Sequence, residues 1–149
     1  MNNKKIEEWK LSLSDNAHIS VANKVKTISP IINQVAKGLS NLEKIQYVRI
    51  STNRIEASNE AREKGGGSWK QPITDPGHQS AIGISLDFDF SYKTISVYSI
   101  TSAEKGNGSK IVESIINGLD AEWKLIVVMD WSSGFWDKMV KKYPQVIVY

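Results

Sequence analysis

An alternation of apolar and polar residues in the middle of the chain constrains the fold more than any other feature. Five large apolar residues occupy every second position there: Ile82, Ile84, Leu86, Phe88 and Phe90. Because successive side chains of a strand point to opposite faces, this pattern predicts a strand with one buried face. A segment rich in β-branched residues, 94–100, follows after a short turn, so the two segments are predicted to form a β-hairpin.

Three segments carry apolar residues at helical spacing. Ser29 and Pro30 are typical of a helix N-cap and first helical position, and an apolar stripe runs from there to Leu42. Two further stripes predict helices at 111–119 and at 135–143, the last capped by Ser132 or Ser133. The helices alternate with segments that resemble strands, which indicates a mixed α/β fold with helices flanking a mostly antiparallel sheet.

The remaining strands are predicted at 9–13, 45–51, 124–129 and 145–149. The segment 124–129 is nearly all apolar, so we expect a central strand covered on both faces. Residues 52–80 are polar by contrast. Helix formers predict a helix at 54–64, ended by three glycines at 65–67, and a turn-rich loop then contains Trp69. We interpret 52–80 as an insertion or loop in a single domain, either a functional lid or a tolerated surface segment.

Composition limits the classes of function. The 149 residues carry 19 basic and 16 acidic side chains, a mixed surface on which nucleic-acid binding is not indicated. There is no cysteine, and His18 and His78 stand far apart, so we predict no metal site. No segment is apolar enough for a signal peptide or a membrane span, which predicts a cytoplasmic protein with no membrane partner. The oligomeric state is not indicated.

A glycine-containing turn precedes the helix predicted at 111–119. Small residues let backbone N–H groups approach a ligand, and the first turn of a helix adds unpaired donors, so the turn suits a phosphate. The alternative is an ordinary connection between strand and helix. The residues concerned are Lys105, Gly106, Asn107, Gly108, Ser109 and Lys110.

The order of elements from 81 to 143 resembles the GCN5-related N-acetyltransferase family, whose glycine-rich turn binds acetyl-CoA. Gly106 and Gly108 match the family pattern Gln/Arg-x-x-Gly-x-Gly/Ala, whereas Ala103 replaces its first residue. The family often has a tyrosine general acid at the start of the next helix, and Trp136 stands there. The family joins its second and third strands by a tight turn, where this chain has residues 52–80, and it usually ends in two strands rather than one.

The resemblance implies an N-acetyltransferase that uses acetyl-CoA and acts on an unknown amine, on a small molecule or a protein, by direct transfer in a ternary complex. The pyrophosphate would be bound by 105–110, and the thioester carbonyl by backbone N–H groups of Ile100, Thr101 and Ser102.

Amine acetylation also requires a base, since a lysine-like amine is protonated at neutral pH. We expect Asp130 or Glu104 in that role, with Asp87 and Asp89 as further candidates, although for each a solvated carboxylate is the alternative. Tyr98 is a candidate proton donor, and so is Tyr143, whose apolar helix face favours packing.

Two other functions fit the same sequence. One is a non-catalytic protein of this fold that binds a macromolecular partner, as an immunity or inhibitor protein does, through Trp69, Trp131 or Trp136. Core packing is the alternative role for each tryptophan. The other is phosphate or nucleotide binding without acyl transfer, although the P-loop pattern is absent.

Overall fold

The computed structural model of the chain describes residues 17–75, 78–102, 106–128 and 134–149. Within these ranges the elements are β1 (His18–Val21), α1 (Pro30–Ser40), β2 (Tyr47–Ser51), β3 (Arg54–Ser58), β4 (Ala61–Lys64), β5 (Trp69–Pro72), β6 (Ile82–Asp89), β7 (Thr94–Ser102), α2 (Asn107–Asn117), β8 (Lys124–Val127), α3 (Phe135–Lys142) and β9 (Val146–Val148). A 3-10 turn, Gly65–Gly67, joins β4 to β5. The strand predicted at 9–13 and the cap predicted at Ser132 or Ser133 lie outside the described residues.

Seven strands form one mixed sheet in the order β1-β2-β3-β6-β7-β8-β9. The three central pairs are antiparallel, whereas β1–β2, β7–β8 and β8–β9 are parallel. The predicted mixed α/β class, with an antiparallel centre and flanking helices, is confirmed. The parallel pair β7–β8 also brings two strand ends to one edge of the sheet, which positions the candidate site.

The predicted helices pack their apolar stripes into the core. Helix α1 begins where the sequence indicates, because the Ser29 hydroxyl accepts a hydrogen bond from the Ile32 N–H at 3.4 Å. Its Val35 and Leu39 side chains are fully buried. Helices α1 and α2 approach closely at Gly38, where a Cβ atom would lie 2.8 Å from the Ser114 hydroxyl. The two helices thus cover the central strands as one layer.

The helix predicted at 54–64 is wrong, because this segment forms β3 and β4 instead. A two-residue turn at Thr52 and Asn53 returns the chain from β2, and β3 then pairs with both β2 and β6. Ile55 and Ala57 are fully buried in this central position. Burial between two strands outweighs the helix preference of the local residues, which amounts only to tenths of a kcal/mol per residue. The glycines at 65–67 therefore join two strands rather than end a helix.

The hairpin of β4 and β5 lies on the polar face of the sheet, which we define by Arg49, Arg54, Glu56 and Asp87. Strand β5 packs across β2 and β3. The Arg49 guanidinium sits 4.0 Å from the centre of the Trp69 ring in β5. The side-chain amide of Gln71 in β5 donates a hydrogen bond to the Glu56 carboxylate, which also holds the hairpin on this face.

Strand β8 differs from its expected environment. Leu125 and Val127 are buried, but Ile126 is only half-buried and Val128, just beyond the strand, is 60% exposed. Coverage on both faces is therefore wrong for this strand, because among the described residues Ile126 and Val128 stay accessible on the face opposite the core. Within the described ranges, no helix is both long enough and apolar enough to span a bilayer.

Candidate functional site

Strands β7 and β8 separate partway along the sheet. Their parallel pairing covers only three positions and ends at Ser96 and Ile126. Strand β7 continues for six more residues, to Ser102. Within the described ranges, the backbone groups of β7 that face β8 beyond Ser96 have no strand partner. We call this opening, between β7 97–102 and the end of β8, the notch.

A β-bulge lies where the notch begins. Leu86 of β6 pairs with Val97, but its neighbour Ser85 pairs with Ser99, so Tyr98 is an extra residue in β7. A bulge disrupts the ladder locally, increases the twist and redirects the strand. Such a distortion accounts for the departure of β7 from β8. The predicted proton donor Tyr98 is thus the bulged residue, 69% exposed, with the Arg54 guanidinium 4.7 Å from its ring centre.

Glycine is required at the two positions of the turn for different structural reasons. Gly106 has φ +93°, a left-handed conformation that favours glycine, and a Cβ added there would meet no atom within 4 Å in the described part of the chain. Gly108 instead makes room for a neighbour, because a Cβ there would lie 3.1 Å from the Phe135 ring. The turn is therefore open at Gly106 and packed at Gly108.

The Gly108–Phe135 contact places the N-terminal ends of α2 and α3 side by side. Each helix begins after a glycine with positive φ, Gly106 for α2 and Gly134 for α3. The first N–H groups of each helix lack an intrahelical acceptor. The partial positive charges of two helix ends thus lie close to each other at the mouth of the notch.

Asn107, at the start of α2, has a donor that nothing in the described residues satisfies. The residue is only 7% exposed, and its amide nitrogen Nδ2 is buried without a hydrogen-bond partner among the described residues. An unsatisfied buried donor costs about 1–3 kcal/mol and therefore calls for a ligand or an ordered water. Thr101, also in the predicted cofactor set, is 6% exposed, whereas Lys110 is exposed and Ser109 is half-buried.

The structure thus brings together part of the predicted site. Ile100, Thr101 and Ser102 form the end of β7, and Gly106 to Lys110 begin α2 directly beyond it. Ile100 packs against the core, whereas Thr101 belongs to the polar face. Glu104, Lys105 and Asp130 lie outside the described residues, as do Ala103 and Trp131, so their predicted roles stay predictions.

The predicted tryptophan roles separate into two cases. Trp136 is 3% exposed and contributes to the core, with the Phe135 ring centre 5.0 Å from its own. An anchor for a partner must be accessible, so the surface role for Trp136 is wrong and its core role is confirmed. Trp69 is half-buried under Arg49 and anchors its hairpin to the polar face.

One ion pair on the polar face does not follow from the sequence pattern. The Arg54 guanidinium donates to both carboxylate oxygens of Asp87, at 2.7 and 3.3 Å. These hydrogen bonds raise the pKa of Arg54 above its ordinary value, with burial opposing the shift. Asp87, a candidate base from the sequence, is therefore occupied by an ion pair. Arg54 and Asp87 are directly opposite each other on neighbouring strands. The prediction of a helix at Arg54 hid this pairing.

Comparison with known proteins gives no assignment. No family model, curated protein or solved structure matches this chain.

Proposed function

We propose that the chain is an N-acetyltransferase similar to the GCN5-related family, which binds acetyl-CoA at the notch and transfers the acetyl group directly to an amine. The observation that carries this proposal is the split between two parallel strands at a bulge, with two helices beginning side by side at its mouth. Ligands of open α/β sheets bind at such carboxyl ends of strands. The proposal also takes the protein to be cytoplasmic.

The residues around the mouth fit a phosphate-bearing cofactor. The Asn107 side chain supplies a buried donor that has no partner among the described residues, and the first N–H groups of α2 supply backbone donors. Gly106 leaves space beside the turn, and Lys110 supplies a charge at the helix surface. These donors would hold a pyrophosphate. Gly108 contributes differently, since its missing side chain lets α3 approach.

The chemistry assigned to the chain itself is limited. Bound acetyl-CoA supplies an activated acetyl group, so no nucleophile of the protein is needed. Among the described residues, the backbone N–H groups of β7 that face β8 beyond Ser96 have no strand partner, and such donors are suited to hold a carbonyl oxygen. A base must take the proton of the acceptor ammonium, and Glu104 and Asp130 stay the proposed candidates. Trp136, at the position of the family tyrosine, carries no titratable proton. Tyr98 is the proposed donor, since Tyr143, the other candidate, packs against the core.

A second function, binding of a macromolecular partner without catalysis, is favoured by the apolar side chains around the notch. Tyr98, Val128 and Tyr149 are 69%, 60% and 77% exposed. They lie on or directly after three neighbouring strands, β7, β8 and β9. Exposed aromatic residues grouped in this way are typical of contact surfaces. In this alternative, the buried Trp136 is a core residue that has replaced a catalytic one.

The test is isothermal titration of the protein with acetyl-CoA and with CoA, using Asn107→Asp as the principal variant. A carboxylate at the start of α2 favours the helix through its dipole, but it repels a pyrophosphate and removes a donor. Because position 107 is buried, the added charge costs stability, so circular dichroism must first show that the variant is folded. In the folded variant we expect the affinity for acetyl-CoA to fall at least about tenfold, the loss of one charge-assisted contact.

Asn117→Asp provides the matched control, because it makes the same chemical change at the other end of α2, about 15 Å away at 1.5 Å per residue. Its affinity should equal that of the unmodified protein. Absence of binding to the folded, unmodified protein would refute the acetyltransferase and favour the partner-binding function. Equal affinity in the Asn107→Asp variant would show that a ligand binds, but not at the notch.

A further inference from the structure

A cavity lies at the other end of the strands from the notch. Strands β6 and β7 are antiparallel, so the end of β6, next to Phe90, lies far from the end of β7. The cavity has a volume of about 390 Å³ and lies between α1, the turn after β2 and the end of β6. Its polar and aromatic lining comprises Lys24, Lys26, Thr27, Ser29, Thr52 and Phe90. We call it the Phe90 cavity.

In the described part of the chain, both charged groups that line the Phe90 cavity are positive. Lys24 and Lys26 are exposed, and within the described ranges neither forms an ion pair with a carboxylate. Among the described residues, the lining contains no acidic residue, and it has three hydroxyl groups, from Thr27, Ser29 and Thr52. Two ammonium groups and several hydroxyls in a concave site favour an anion with several acceptor oxygens, such as a phosphate. The start of α1 adds a partial positive charge.

Phe90 gives the same cavity a rigid aromatic wall. Its ring is held edge-to-face against Trp123, with the ring centres 5.9 Å apart, and it stacks on Phe88 at 6.2 Å. These neighbours fix the ring orientation, yet Phe90 stays 41% exposed. A partly exposed ring leaves apolar surface in water, and a planar group that stacks on the ring removes that surface from water. Stacking of a base on an aromatic side chain contributes about 1–3 kcal/mol in nucleic-acid sites.

We propose that the Phe90 cavity binds a nucleoside phosphate, with the base on Phe90 and the phosphate at Lys24 and Lys26. The combination of an aromatic wall with paired cationic groups distinguishes this ligand class from a simple anion and from an apolar molecule. The volume falls in the range of small-molecule sites. This site is separate from the notch, and the proposal does not depend on the proposed acetyltransferase.

Titration calorimetry with AMP tests this proposal, with adenosine and ribose 5-phosphate as part-ligands. The Lys24→Ala/Lys26→Ala variant should bind AMP at least about tenfold more weakly, because it loses both charge-assisted contacts. Lys44→Ala, an exposed charge outside the lining, is the control and should leave the affinity unchanged. Phe90→Leu should weaken the binding of AMP but not that of ribose 5-phosphate. Tyr92→Leu changes an exposed aromatic residue outside the lining and should weaken the binding of neither ligand.

The variants also separate this site from the notch, because CoA itself contains an adenosine phosphate. Lys24→Ala/Lys26→Ala should retain acetyl-CoA binding, and Asn107→Asp should retain AMP binding. The proposal is overturned by the absence of AMP binding, or by equal AMP affinity in the folded lysine variant. It is also overturned if a single-stranded oligonucleotide binds the cavity far more tightly per molecule than AMP, which would indicate a nucleic-acid surface instead.

Discussion

The contact between Gly108 and Phe135 positions the mouth of the notch, and a Gly108→Ala substitution tests it directly. The added Cβ would lie 3.1 and 3.2 Å from Cε1 and Cζ of the ring. Carbon atoms pack best at about 3.5–4.0 Å, so the ring or the helix must move by roughly half an ångström. Overpacking of this kind costs about 1–3 kcal/mol. Replacing a helical glycine by alanine returns about 0.5–1 kcal/mol.

The net expectation is a loss of about 1 kcal/mol of unfolding free energy in the unmodified background, the difference between these two terms. Phe135→Leu removes the two ring atoms in contact. In that background, Gly108→Ala should become stabilising by about 0.5–1 kcal/mol, because only the helical preference remains. The change of Gly108→Ala from destabilising to stabilising between the two backgrounds is a stricter test than the size of either effect.

Urea unfolding of the four proteins measures this double-mutant cycle. The expected coupling between positions 108 and 135 is about 1–3 kcal/mol, with equal m-values throughout. If Gly108→Ala stabilises both backgrounds equally, α2 and α3 do not begin side by side. The two helix ends would then not meet at the mouth of the notch, and the proposed cofactor site would lose its basis.

Three further predictions concern the turn, the hairpin and the ion pairs. Gly106→Ala should cost about 1–2 kcal/mol in urea unfolding through its positive φ alone, whereas Gly106→Asn should cost less; equal costs would contradict a left-handed Gly106. Arg49→Leu removes the cation from the Trp69 ring, so amide exchange in β4 and β5 should accelerate while exchange in β6 stays unchanged; uniform acceleration would indicate global unfolding instead. Hydrogen bonds from Lys70 and Arg62 lower the pKa values of Glu63 and Asp75, so these pairs stabilise the hairpin above the ordinary carboxyl pKa values and lose that effect as the pH falls through the lowered ones. The Trp69 indole resonance should therefore shift in acid, and a Glu63→Gln/Asp75→Asn variant should abolish that part of the shift.

The elements that the sequence predicts correctly are those whose residues agree with their tertiary environment. The strand at 82–89 and the helix beginning at Pro30 have patterns that match their buried faces, so the local pattern is sufficient. At 54–58 the local residue preference and the tertiary environment disagree. The residues prefer a helix, but β3 lies between two strands that local propensity cannot detect. The signal available in the sequence is the turn at Thr52 and Asn53, which closes a hairpin rather than beginning an insertion.

The candidate site is predictable in part for the same reason. Gly106 follows from local geometry, since a helix that begins after a left-handed residue favours glycine there. The reason for Gly108 is a ring 27 positions further along the chain, and sequence spacing does not show such a contact. The sequence therefore assigns Gly108 to the ligand, whereas the structure gives it a packing role.

The bulge that opens the notch does leave a signal in the sequence. Core-facing residues of β7 occupy odd positions at Ile95 and Val97, and then an even position at Ile100. A regular strand keeps one parity on each face, so this change requires an extra residue between 97 and 100. The extra residue is Tyr98. The parity change therefore locates the bulge, and with it the point where β7 leaves β8, from the apolar pattern of a single strand.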